Sequence, residues 1–315
     1  MNILDLDHSL TAQAPIRSLL DSGRATLLDL LDLGPKLRLW TTERQYRRFT
    51  ERLRQLIAPA AGRPQIIFVG SGDYHHLTPA FLGNLPEPIS LIHFDNHPDW
   101  VHLAPRRHCG SWVNRALKLP NVRRIVTLGP CSEDLDTPQL RGGNLGALRR
   151  GDLQLFPWQH APSKVWGRVG DGAGHQQQEN HLHWRNLADE HWPSFLEQLI
   201  QGLPTEAIWI TIDKDVLASE DAATNWDQGG MRLSHLLEAI RALATHKPPR
   251  STLFPYTTLF RSATQRDHQP GVDLAVRGAV PVTLTVALLV AFSIVLDVVG
   301  QLCFKIGRAS CRERV

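Results

Sequence analysis

Through residues 1–250 the chain alternates two hydrophobic rhythms. Short unbroken apolar runs at 65–70 (QIIFVG), 90–94 (SLIHF), 124–129 (RIVTLG), 153–156 (LQLF) and 207–212 (AIWITI) have the length and continuity of strands buried on both faces. Helical patterns fall between and after them, at 42–57, 111–117, 190–201 and 233–245. The last keeps Leu236, Leu237, Ile240 and Leu243 on one side. Strand–helix alternation predicts an α/β fold, a mostly parallel sheet covered by helices on both faces. The stretch 167–183 (GRVGDGAGHQQQENHLH) is polar and Gly-rich and predicts a surface loop. No internal repeat is present.

Beyond residue 250 the rhythm changes. Residues 279–304 (AVPVTLTVALLVAFSIVLDVVGQLCF) are apolar apart from Asp297, Gln301 and a few Thr and Ser. About 20 such residues span a bilayer, so a transmembrane helix is expected there. Its LDVVGQLCFK resembles a first helix of a drug/metabolite-type transporter. Segments 252–262 (TLFPYTTLFRS) and 305–315, ending IGRASCRERV, read as opposite strands of one DNA that resembles a sequencing-library adapter. The expected division is therefore a domain at 1–250, an adapter-derived linker at 251–262, a foreign segment at 263–304 and an adapter-derived tail at 305–315.

Composition agrees with a globular body. Of 315 residues, 42% are hydrophobic and 21% charged, which excludes disordered and collagen-like classes. Residues 251–315 hold seven of the 34 basic and four of the 31 acidic residues, leaving 27 of each in residues 1–250. The net +3 thus belongs to the tail and gives no reason to expect a nucleic-acid partner. Four Cys and no secretory signal predict a reducing, cytoplasmic setting for 1–250. Only 279–304, read literally, would tether the chain to a membrane.

Candidate chemistry gathers where strands end. In LIHFDNHPDW, residues 91–100, Asp95, His97 and Asp99 alternate after an apolar strand, so all three fall on one side of an extended segment. One imidazole between two carboxylates suits Mn, Fe or Zn. His93 lies two residues earlier and deeper, a supporting or alternative ligand. ITIDKDVL repeats the pattern with Asp213 and Asp215. Two carboxylate pairs facing one pocket repel unless cations lie between them. VGSGDYHHLT ends a strand in glycines and offers His75 or His76 as a further imidazole. In RHCGSWVNRAL, His108 sits in a turn where it could move protons. Cys109 carries no nucleophile signature. Together His75, Asp95, His97, Asp99, Asp213 and Asp215 could hold two divalent cations.

From about residue 65 to 242 the chain resembles the arginase/agmatinase (ureohydrolase) family. LIHFDNHPDW is similar to that family's H-x-D-A-H-x-D, with Asn96 in place of Ala. ITIDKDVL is similar to its S-x-D-x-D, with Thr211 for Ser and Lys214 where an aliphatic is usual. GSGDYHHLT is similar to G-G-D-H-S with Tyr74 inserted, which favours His75 over His76, and His108 matches its H-G segment with Cys109 intervening. The resemblance implies a three-layer α/β/α fold and a homo-oligomer. It also implies two Mn²⁺, or another divalent transition metal, whose bridging hydroxide attacks a small guanidinium or amidine substrate. His108 would protonate the leaving amine. A final strand and a substrate-binding Glu are expected beyond residue 250, so this chain is expected to be incomplete and defective. Peptidyl-arginine or formimino compounds are alternative substrates. A catalytically silent metal-binding protein and a membrane-transporter fragment are alternative readings.

Overall fold

The structure, a computed structural model, describes residues 1–57, 66–102, 107–224 and 226–246. The expected linker, the apolar run 279–304 and the tail all lie outside the described residues. No described helix is long and apolar enough to cross a membrane.

The chain begins with strand β1 (Asn2–Asp5), helix α1 (Ala14–Asp21), β2 (Thr26–Asp29), α2 (Gly34–Leu37), β3 (Trp40–Thr41) and α3 (Glu43–Leu56). It continues through β4 (Ile67–Phe68), α4 (Thr78–Leu82), β5 (Ile89–Phe94), β6 (Arg107–His108), α5 (Val113–Ala116), β7 (Val122–Leu128), α6 (Leu145–Arg150) and β8 (Leu153–Phe156). Then come β9 (Ser163–Lys164), β10 (His175–Gln178), β11 (His181–Trp184), α7 (Trp192–Gly202), β12 (Ala207–Ile212) and α8 (Leu233–His246).

Four strands pair in the order β12-β5-β7-β8 and three in the order β2-β1-β4, all parallel. Every residue of β5 and β12 is buried. Because side chains alternate across a strand, each strand feeds two cores. Leu91, Ile125, Leu155 and Trp209 pack with Phe49, Phe81 and Leu148 from α3, α4 and α6. Ile92, Phe94, Val126, Ile210 and Ile212 pack on the other face with Phe195 and Leu199 of α7 and Leu236 and Ile240 of α8. The result is the expected three-layer arrangement. Helix α3 starts one residue later than its pattern, because Thr42 caps it: its hydroxyl accepts from the Gln45 N–H, and the Gln45 side chain accepts from the Thr42 N–H.

One expectation is overturned. The polar stretch 167–183 is not simply a loop: β10 and β11 form an antiparallel hairpin extended by β9. Only one face is buried, by Leu182 and Trp184, and the other carries Gln, His and Asn to solvent. The Gln177 side chain holds the glycine-rich approach, accepting from the Val169 and Gly170 N–H groups and donating to the Gly167 and Glu179 carbonyls.

Candidate metal centre

The carboxyl ends of β4, β5 and β12 converge, and the loops that follow them carry the acids and imidazoles. This is where parallel α/β sheets build sites. The loop after β4 approaches so closely that a Cβ on Gly72 would stand 2.6 Å from an Asp213 carboxylate oxygen. Any larger residue there would have to displace that carboxylate or the loop itself. His75 follows, buried, with its Nε2 2.8 Å from the Thr211 hydroxyl of β12. That contact turns Nδ1 toward three carboxylates: Asp95 at 3.0 Å, Asp213 at 3.5 Å and Asp99 at 3.7 Å. Nδ1 itself has no hydrogen-bond partner.

Asp95 is the hub. One oxygen lies 2.9 Å from His93 Nε2 and faces His75, while the other accepts the His97 backbone N–H at 2.7 Å. His93 is fully buried and held by the Thr127 hydroxyl at 3.1 Å. His97 Nδ1 lies 3.0 Å from Asp215. Asp99 adopts φ +47, a left-handed conformation that Asp tolerates better than most residues, and accepts from the Trp112 indole N–H.

Among the described residues, two groups therefore bring ligand atoms close enough to share a cation: His75, His93, Asp95 and Asp99, and Asp95, His97 and Asp215. Asp95 belongs to both. Asp213 lies in neither but lines the same cavity of about 210 Å³, as do His75, Asp95, His97, Asp99 and Asp215. His108 also lines it, half-buried, its Nδ1 accepting the Gly110 N–H at 3.0 Å. Cys109 places its sulfur 3.7 Å from both His108 ring nitrogens. His76 is buried outside both groups and outside the cavity lining.

Sequence reading passed over Asn96. Its backbone N–H donates to Asp215, its side-chain amide donates to the Asp227 carbonyl, and its side-chain oxygen accepts the Cys131 N–H. It ties together the loops after β5, β7 and β12. Its substitution for Ala in the motif was the available signal.

The electrostatics record too much negative charge in one place. Burial opposes ionisation of Asp95, but the charge of His93, the close approach of the His75 ring and hydrogen bonds from His93 and His97 hold it well below the usual carboxylate range. With that charge established, its neighbours resist ionising. Burial, then the Asp95 charge, push Asp99 well up and Asp213 up. Burial, then Asp213, push Asp215 well up. Burial works against a charged His97, yet hydrogen bonds to Asp215 and Asp95 raise it to about 12. Burial lowers His76 to about 3 and also lowers His108.

No family model matches the chain. An uncharacterised protein of Thermotoga maritima is 24% identical over 182 residues, covering 58% of this chain and 54% of that protein. The chain thus spans about half the length of that curated relative. Among solved structures, arginase from Bacillus cereus superimposes with a TM-score of 0.51 at 14% identity, covering 94% of this chain and 97% of that one. The fold is that of the arginases. Arginase from Bacillus caldovelox, in its native structure, matches equally, with a TM-score of 0.51 at 13% identity and the same coverage. An arginase-like fold carrying a His/Asp cluster able to bind metal is therefore in place. Neither the adapter-like segments nor the transporter-like run finds support among these similar proteins.

Proposed function

We propose that the chain is a metal-dependent hydrolase of the ureohydrolase type, cleaving a C–N bond of a small guanidinium or amidine substrate. The observation that carries this reading is Asp95, a buried carboxylate that lines the cavity and is shared by two ligand groups. The donor set fits two divalent cations, with manganese the proposed ion. It combines imidazole with several carboxylates, and His75 Nδ1 faces three of them without a hydrogen-bond partner. His75, Asp95, His97, Asp99, Asp213 and Asp215 are the proposed ligands. His93 supports Asp95 by its hydrogen bond. Bound, the cations supply positive charge and a water acidic enough to attack near neutral pH.

The rest is done by the chain. Thr211 fixes the His75 ring, Trp112 and the Asp99 backbone conformation fix the Asp99 carboxylate, and Asn96 fixes Asp215. Asp134 lines the cavity outside both groups and offers a carboxylate to a cationic substrate. His108 accepts the Gly110 N–H at Nδ1, so its Nε2 carries the mobile proton and passes it to the departing amine. Urea or ammonia release from a panel of guanidino and amidino compounds, with Mn²⁺ added to the full chain, tests the reading. Slow turnover, in keeping with the expected defect, is predicted, and it should be lost on chelation and in His108→Asn. Turnover indifferent to both would overturn it.

A further inference from the structure

A second cavity, of about 380 Å³, opens between α3, the end of α4 and α5. That volume lies within the common range for small-molecule sites, about 300–1,000 Å³. Arg54, Arg107, Arg115 and Lys118 line it, together with Tyr46 and Asn84, and none of its described lining residues is acidic. The cations do not all point freely to solvent. The Arg107 guanidinium stacks 3.5 Å from the Tyr46 ring centroid and is braced by Glu43 through two hydrogen bonds. Arg54 is oriented by the Asn84 side-chain oxygen at 3.0 Å. Burial and the neighbouring Arg107 charge lower the Arg115 pKa, a sign of cations crowded together in partly dehydrated surroundings.

We propose that this cavity is a binding site for a small phosphorylated compound. Arginine forks match phosphate oxygens bidentately, and those of Arg54 and Arg115 converge on the space beside Arg107, whose own fork is held by Glu43. The apolar wall of Pro79, Ala80 and Leu119 gives an organic portion somewhere to rest. The neutral overall charge of residues 1–250 conceals this patch, because its basic residues come from three separate sequence segments. It also lies one residue from the acidic cavity: in β6, Arg107 lines this site and His108 lines the other.

Calorimetric titration of the full chain with inorganic pyrophosphate, in EDTA so that no cation can bridge it, tests the assignment. One saturable site is expected, weakened about tenfold by Arg115→Ala. Should that variant fold poorly, Arg54→Ala combined with Lys118→Ala removes two exposed cations and should weaken binding similarly, with the melting temperature unchanged. No saturable binding, binding by both variants as tight as by the parent chain, or tighter binding of a DNA duplex than of pyrophosphate would each overturn it. None of these readouts depends on hydrolase activity.

Discussion

At Asp99 the demands of function and stability oppose each other. Its carboxylate is buried beside Asp95, so its charged form is unfavourable until a cation arrives. Asp99→Asn keeps an oxygen to accept from the Trp112 indole and removes the charge. The metal-free variant is expected to melt a few degrees above the parent, with Mn²⁺ affinity reduced ~10–100-fold. Melting in EDTA and titration with Mn²⁺ measure the two effects, and a destabilised metal-free variant would contradict this account. His108 presents the opposite case. His108→Asn should retain both cations while turnover falls by ~10²–10⁴, the usual contribution of a positioned proton donor. The alternation of Asp95, His97 and Asp99 was legible because neighbouring residues in one extended segment define it. Asn96 was not, because its partners at Cys131 and Asp227 are 35 and 131 residues away.

Among the elements, legibility followed burial on two faces. SLIHF and AIWITI are strands β5 and β12 almost to the residue, because every position is covered by a helix layer. The hairpin β10–β11 escaped because one face is solvated and its alternation is carried by little more than Leu182 and Trp184. Strands β1 and β2 are four residues each and end in Asp, too short to show a rhythm. The loop after β4 shows what sequence spacing could not, its near contact with Asp213. Gly72→Ala makes either the Asp213 carboxylate or the loop carrying His75 give way, and both are proposed to hold metal. It should weaken Mn²⁺ binding more than global stability, and urea denaturation in EDTA set beside a Mn²⁺ titration separates these. A loss of stability with unchanged affinity would show that the loop's position does not matter to the site.

For the molecule as a whole, the acidic cluster couples stability to pH and to metal. Asp99, Asp213 and Asp215 have folded values raised above the ordinary carboxylate value of 3.8. A raised carboxyl contributes stability fully below its unfolded value and loses it as pH rises through the folded one. His97, raised to about 12, declines in the same direction above its ordinary 6.5. Asp95, lowered, runs the other way, its contribution present above 3.8 and lost on acidification. Three acids and one imidazole run against it, while the lowered His76 and His108 also favour higher pH but do so with and without metal alike. The melting temperature in EDTA should therefore fall further behind that in Mn²⁺ as pH rises from about 4 toward 8. Parallel curves would deny that cations relieve the repulsion.

All of this rests on Asp95 serving two cations at once. Titration of the chelator-stripped full chain with Mn²⁺, read by calorimetry and by metal content after desalting, tests that directly. Two ions per chain are predicted, with both lost or severely weakened in Asp95→Asn. A single ion per chain, or two ions bound equally well without the Asp95 carboxylate, would contradict it.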